Sequence, residues 1–219
     1  MKLLAVRLAR AIWIIPPYFI NPMGKFMCPA IEAMKIRYSF LKTPLDGPLH
    51  PPPTEGTKFE TGAFNGKNGV VQIISLTFHN DGLVVDTRSS TEDANAFLED
   101  VINWGSQEYG LPSLADLPIR KVYTSELNVA FSRTPAIFNP KLAPFLDAVS
   151  AAIADQNTGA ADMLSIQLST DPTRTNRQAF FRIDREVSVP FEENRYYSFA
   201  QTTTDIHRQL LENLERLSI

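Results

Sequence analysis

The stretch FHNDGLVVDTRSSTEDANAF, residues 78–97, contains the change of pattern that decides the fold. Asp81-Gly82 lies between two apolar runs, which is a strong signal for a tight hairpin between antiparallel strands. After Thr87 the apolar residues recur at helical spacing instead of alternating. The sequence therefore predicts two paired strands that are followed at once by an amphipathic helix.

The junction SSTED stands directly before this helix. Ser89 is followed three residues later by Glu92, and Ser90 by Asp93, so either serine can accept a hydrogen bond from the helix N-terminus. The alternative is an anion site, because a helix N-terminus beside Arg88 can also hold a phosphate or a carboxylate. Helix initiation is the favoured interpretation, since acids already supply negative charge at this end. In the alternative, the ligand-binding residues are Asp86, Arg88, Ser89, Ser90 and Arg195.

The C-terminal half of the chain repeats this order of patterns. The stretch FAQTTTD, residues 199–205, places a second hydroxyl triplet between an alternating strand and the amphipathic stretch IHRQLLENLERL. The similarity of the two junctions suggests an internal duplication of a meander followed by a helix. The apolar row predicted for this last helix is Ile206, Leu210, Leu214 and Leu217.

The order of these patterns predicts the architecture. Alternating strands with short connections favour antiparallel pairing, and their one-sided apolar faces favour helices on one side of the sheet. We predict one α+β domain over residues 1–219, with a mainly antiparallel sheet of about six or seven strands backed by three or more helices. Its predicted parts are an N-terminal apolar segment and short helix (1–43), a Pro-rich connection (44–56), a meander plus helix (57–110), and a strand, a helix, further strands and a C-terminal helix (119–219).

The first residues, MKLLAVRLARAIWIIPPYFINP, begin basic and become apolar. Arg7 and Arg10 interrupt the apolar run and Pro16-Pro17 ends it, which argues against a signal peptide and against a membrane span. A buried strand or helix at the edge of the core is the favoured interpretation. A membrane-surface helix, with Leu3, Leu4, Leu8, Ile12 and Ile15 on one face, is the alternative.

Composition limits the class of function. The chain has 219 residues, of which 44% are hydrophobic and 21% are charged, as is typical of a folded globular protein. Its net charge of −3 argues against a dedicated nucleic-acid binder. The single cysteine cannot form an intramolecular disulfide, so a cytoplasmic location is the simplest prediction. The sequence contains no Gly-rich phosphate loop, nucleophile elbow or metal-ligand spacing, and we predict no catalytic residue, metal or cofactor.

Arginine and tyrosine occur together in the region 178–197, a combination that is typical of interface anchors. Their alternation taken alone favours a solvated face with cross-strand ion pairs. The predicted interface residues are Arg182, Arg185, Tyr196 and Tyr197.

These patterns lead to two hypotheses for function. The first is a non-enzymatic interaction or assembly protein, a self-associating cytosolic component of bacterial or phage origin. It pairs with itself or with a protein partner through the N-terminal segment or the region 178–197. The second is an enzyme or ligand-binding domain that holds an anionic small molecule at the Asp86/Arg88 junction.

Overall fold

The computed structural model describes residues 1–16, 19, 28–44, 56–133, 143–153, 164–171, 173 and 180–217. Within these residues the chain forms one antiparallel sheet of eight strands and four α-helices. The α+β class predicted from the sequence is confirmed. The Pro-rich connection predicted for 44–56 lies, apart from its two end residues, outside the described residues.

The elements follow the predicted order, with one strand more than the upper end of the predicted range. They are β1 (Lys2–Ile14), α1 (Cys28–Tyr38), β2 (Thr57–Gly66), β3 (Gly69–His79), β4 (Gly82–Thr87), α2 (Thr91–Tyr109), β5 (Arg120–Ala130), α3 (Ala143–Ile153), β6 (Ser165–Ser169), β7 (Phe180–Arg185), β8 (Arg195–Ala200) and α4 (Thr204–Leu217). The order across the sheet is β2-β3-β4-β1-β5-β8-β7-β6.

The additional strand is the N-terminal segment itself. Strand β1 lies between β4 and β5 and pairs with β4 from Ala9↔Thr87 to Ile14↔Gly82. Ala9, Ala11 and Trp13 are fully buried, and this period of two belongs to a strand and not to a helix. Residues 2–14 therefore do not form the membrane-surface helix of the alternative interpretation. Among the described residues, no helix is both long enough and apolar enough to cross a bilayer.

The chain divides into two compact units. The N-terminal unit contains Val6–Ser125 together with Thr202–Thr204, and the C-terminal unit contains Met1–Ala5, Glu126–Gln201 and Asp205–Ile219. The single domain over 1–219 stays a prediction.

Helix α2 supplies one side of the core of the N-terminal unit. The side chain of Phe97 in α2 is fully buried. The centre of its ring lies 4.9 Å from that of Tyr38 in α1, in an edge-to-face arrangement, and 5.5 Å from that of Phe64 in β2. Aromatic pairs at such distances are favourable beyond the area that they bury. The apolar stripe that the sequence predicts for this helix is buried throughout: Ala94, Phe97, Leu98, Val101 and Ile102.

Helix α4 of the C-terminal unit presents a different side from the predicted one. Leu211 and His207 are fully buried, whereas Ile206 is 47% exposed and Leu210 is 43% exposed. The predicted row was wrong because the buried side of α4 includes the polar residue His207, which a row of apolar residues alone leaves out. The contact row passes through Leu211 instead of Leu210, which corresponds to a rotation of about 100° about the helix axis.

We expect Leu211→Ala to lower the free energy of unfolding by about 2–5 kcal/mol, because it removes a fully buried side chain. Leu210→Ala, the matched control on the same turn, should change it by less than about 1 kcal/mol. Urea denaturation of the two variants measures the difference. Equal losses in both variants would show that α4 has another orientation.

Candidate interaction site

The hydroxyl-rich junction begins helix α2. Ser90 is the N-cap residue, with extended backbone angles, and its Oγ accepts a hydrogen bond from the Asp93 N–H at 3.0 Å. Ser89 donates its hydroxyl to the carboxylate of Asp93. Of the two capping registers that the sequence allows, the structure uses the one that begins at Ser90.

The two hydroxyl triplets meet inside the N-terminal unit. The Thr91 N–H donates to Oγ1 of Thr204 at 3.0 Å, and the Thr204 N–H donates to Oγ1 of Thr91 at 2.7 Å. The two residues are the first of α2 and of α4, and both are buried. Each threonine therefore satisfies a backbone donor that the first turn of a helix leaves without a partner inside the helix.

Asp86 is held by side chains of β1 and β3. The guanidinium of Arg10 makes a two-pronged contact with its carboxylate, at 2.6 Å from Nε and 2.9 Å from the second nitrogen. Ser75 donates its hydroxyl to the same carboxylate at 3.2 Å. Paired geometry of this kind is strong and directional. It connects three neighbouring strands, and it occupies both carboxylate oxygens of Asp86.

The predicted ligand site has two cations, Arg88 and Arg195. Arg88 is exposed. Arg195 belongs to the C-terminal unit, where its guanidinium lies 3.2 Å from Glu186 and 3.6 Å from Glu193. The contacts at the junction thus favour helix initiation, and anion binding there stays a prediction.

The four predicted interface residues lie on two opposite faces of the β7/β8 hairpin. The register pairs Arg182 with Phe199, Asp184 with Tyr197 and Arg185 with Tyr196. Side chains alternate between faces along a strand, so Arg182 and Tyr197 share one face while Arg185 and Tyr196 share the other.

The face that carries Arg185 and Tyr196 points into the C-terminal unit. Arg185 is 5% exposed and Tyr196 is 4% exposed. The Arg185 guanidinium donates to the carbonyl of Phe191 at 2.8 Å and lies 5.0 Å from the centre of the Tyr196 ring. These two residues are part of the interior, which narrows the predicted interface to Arg182 and Tyr197.

The opposite face, which we call the hairpin face, consists of Phe180, Arg182, Tyr197, Phe199 and Gln201. These residues line a shallow hollow of about 430 Å³. Two of its rings, Phe180 and Phe199, lie 5.8 Å apart between centres. Arg182 forms an ion pair with Asp184, Nε to Oδ2, at 2.5 Å, so its charge is balanced on the same face. The hollow is therefore aromatic with a polar border.

A buried serine–histidine pair is the contact that sequence reasoning missed. Ser198 of β8 and His207 of α4 are fully buried, and Ser198 Oγ lies 2.8 Å from His207 Nε2. Ser198 also donates to the carbonyl of Arg182 at 2.9 Å. Because a serine has one hydroxyl hydrogen, the histidine must be the donor in the first contact. A histidine that donates to a serine is not the base that would activate it, so the pair is structural.

A metal centre and a known relative are two other features that could identify a functional site. Across the described ranges, no three His, Cys, Asp or Glu side chains converge as metal ligands would. Comparison of the chain with protein-family models, with curated proteins and with solved structures finds no match. Of the four predicted interface residues, the exposed Arg182 and the half-buried Tyr197 lie on the hairpin face.

Thr204→Val should destabilise the protein by about 1–3 kcal/mol, because it removes the acceptor of the buried Thr91 N–H. Thr204→Ser, which keeps the hydroxyl, is the matched control and should lose much less. Denaturant titration of both variants tests the reciprocal pair. If valine and serine behaved alike, the hydroxyl of Thr204 would not be what stabilises the pair.

Burial lowers the pKa of His207 to about 4, below its ordinary value of 6.5. Between these values the unfolded chain binds a proton that the folded chain does not, so stability is complete above pH 6.5 and falls as the pH is lowered. We expect a loss of about 1–2 kcal/mol between pH 7 and pH 5 from this residue alone. His207→Gln should remove that part of the pH dependence while the carboxylates titrate as before, and denaturation at the two pH values measures it. Identical pH profiles for the two proteins would contradict the assignment.

Proposed function

We propose that this chain is a non-enzymatic interaction protein that self-associates in the cytosol of a bacterium or in a phage-infected cell. The observation that carries the proposal is the hairpin face, where aromatic rings and one arginine line an open hollow on the sheet. Aromatic and arginine side chains are enriched at the centres of protein interfaces. The proposed contact surface is therefore the C-terminal unit on the side of β7 and β8.

The charge arrangement of the hairpin face fits a protein partner better than a free anion. Arg182 already lies against Asp184, so a bound anion would compete with a carboxylate at 2.5 Å. Tyr197 lies beside this pair in the register and adds a ring with a polar tip. Such a surface can bury apolar area while its polar groups keep partners, which is the usual anatomy of an interface.

The C-terminal unit also exposes apolar side chains away from the hairpin face. Phe145 of α3, Leu168 of β6 and Leu217 of α4 are all exposed. The N-terminal unit exposes Ile36, Leu41 and Val70 to a similar extent. Single exposed apolar side chains are ordinary on a folded protein, so the proposal rests on the hairpin face and not on them.

The suggested duplication remains part of the proposal. The element order β, α, β, β, β, α occurs twice along the chain, once from β1 to α2 and once from β5 to α4. An ancestral unit of that composition would account for the two similar hydroxyl triplets. The proposal for function does not depend on it.

We expect the double variant Arg182→Ala/Tyr197→Ala to weaken self-association at least about tenfold, since truncation of interface anchors commonly costs more than 1 kcal/mol. Arg208→Ala, an exposed arginine of α4, is the matched control and should leave it unchanged. Sedimentation velocity over a micromolar concentration series measures the dissociation constant. A wild-type chain that stayed monomeric throughout would overturn the proposed function.

A further inference from the structure

The N-terminal unit contains a cavity of about 50 Å³. Its lining includes Met34 of α1, Ile102 of α2, Phe78 of β3 and Leu83 of β4. The described residues that line it all lie within 6–125 and so belong to this one unit. The cavity therefore lies where the two helices of the unit pack on its strands.

The wall of this cavity is almost wholly apolar. None of the described residues that line it carries a charge, and Ile15, Ala30, Met34 and Leu83 are each at most 5% exposed. An ordered water needs about two to four polar partners, and genuinely empty cavities are apolar. The cavity thus favours an apolar occupant over water.

Aromatic rings supply part of the wall. The centres of the Trp104 and Tyr109 rings lie 5.2 Å apart in a T-shaped arrangement. The Tyr109 hydroxyl donates to the Pro29 carbonyl of α1 at 3.4 Å, so its polar tip already has a partner. Apolar and aromatic walls with few polar groups are typical of small-molecule sites.

Gly105 allows one part of the wall to close. Leu111, which lines the cavity, packs against the bare backbone of Gly105, where a Cβ atom would lie 2.6 Å from Leu111 Cδ1. Glycine weakens a helix interior relative to alanine. Its presence in α2 is explained by this close approach, which shapes the cavity at the expense of helix propensity.

The volume limits the size of an occupant. It is about a third of an engineered apolar cavity of about 150 Å³ that binds benzene or xenon. A single xenon atom or the end of a short alkyl chain is therefore of suitable size. Met34 adds some adaptability, because its unbranched thioether side chain can change shape around an occupant.

We propose that this cavity is a binding site for a small uncharged apolar molecule, which it holds by the end of a short alkyl chain. A charged group is excluded from the cavity, since its burial without a partner is strongly unfavourable. The proposal concerns the N-terminal unit and does not rest on self-association through the hairpin face.

The two tryptophans of the chain allow a specific test. Trp104 lines the cavity, whereas Trp13 is not among the lining residues and its indole N–H donates to Asn95 at 3.2 Å. Titration with n-butanol should shift the indole N–H resonance of Trp104 in a saturable way and leave that of Trp13 in place. Xenon under pressure should shift the same Trp104 resonance. Butanediol, the same chain with a hydroxyl at each end, is the control ligand and should shift neither.

Variants that change the volume test the location of binding. Val101→Ile adds one methylene group to a lining residue and should weaken butanol binding about tenfold. Val85→Ile adds the same group to a fully buried residue outside the lining and should leave the affinity unchanged. Leu83→Ala should enlarge the cavity so that it admits benzene, which should then raise the Tm of this variant. Thermal melts of all three variants check that they fold.

The outcomes decide the proposal independently of the proposed function. A saturable shift of Trp104 alone, weakened by Val101→Ile and not by Val85→Ile, would support the site. Equal weakening by the two valine variants, or shifts of both tryptophans, would mean that the alcohol binds elsewhere and would overturn it. The absence of a saturable response to both butanol and xenon would also overturn it, while a dimer seen by sedimentation would leave the proposed function standing.

Discussion

The reciprocal hydrogen bonds between Thr91 and Thr204 are the constraint on which both hydroxyl-rich junctions depend. Each helix begins with backbone donors that have no partner within the helix, and a buried donor without a partner costs about 1–3 kcal/mol. Here the first residue of α2 and the first residue of α4 satisfy each other, with their hydroxyl oxygens 3.3 Å apart. A threonine at each position thus supplies both the donor to be satisfied and the acceptor that satisfies it.

The hydrogen bonds between Thr91 and Thr204 limit which groups at the start of α2 could bind an anion. An anion bound at the start of α2 would need the N–H groups of the first turn, but Thr204 accepts from Thr91 and Ser90 accepts from Asp93. The nearby carboxylate of Asp86 is likewise engaged by Arg10 and Ser75. Asp86, Ser89 and Ser90 of the predicted ligand site thus each have a partner within the fold, and anion binding at the junction stays a prediction.

Sequence reasoning predicted the parts of the fold that local pattern determines. The α2 stripe was predicted because its apolar residues have one period and a cap precedes them. For the N-terminal segment the sequence left a buried strand and a buried helix open, because the contacts that distinguish them are distant: Arg10 reaches Asp86 across 76 residues of sequence. The buried face of α4 was missed for a similar reason: His207 reads as polar until Ser198 is known to be its partner. The N-terminal strand and the buried face of α4 both depend on pairings between residues that are distant in the sequence. Local periodicity carries no information about such pairings.

The predicted interface residues show the same limit of local sequence patterns. Composition identified arginine and tyrosine in the β7/β8 region correctly, but it could not tell a cation held between rings in the interior from one on the surface. Arg185 and Arg182 are three residues apart, so they lie on opposite faces of one strand. Arg185 is enclosed by Phe191 and Tyr196, while Arg182 borders the open hollow with Asp184. Composition carries no information about the face on which a side chain lies, so the two arginines could be told apart only through the register of β7 and β8.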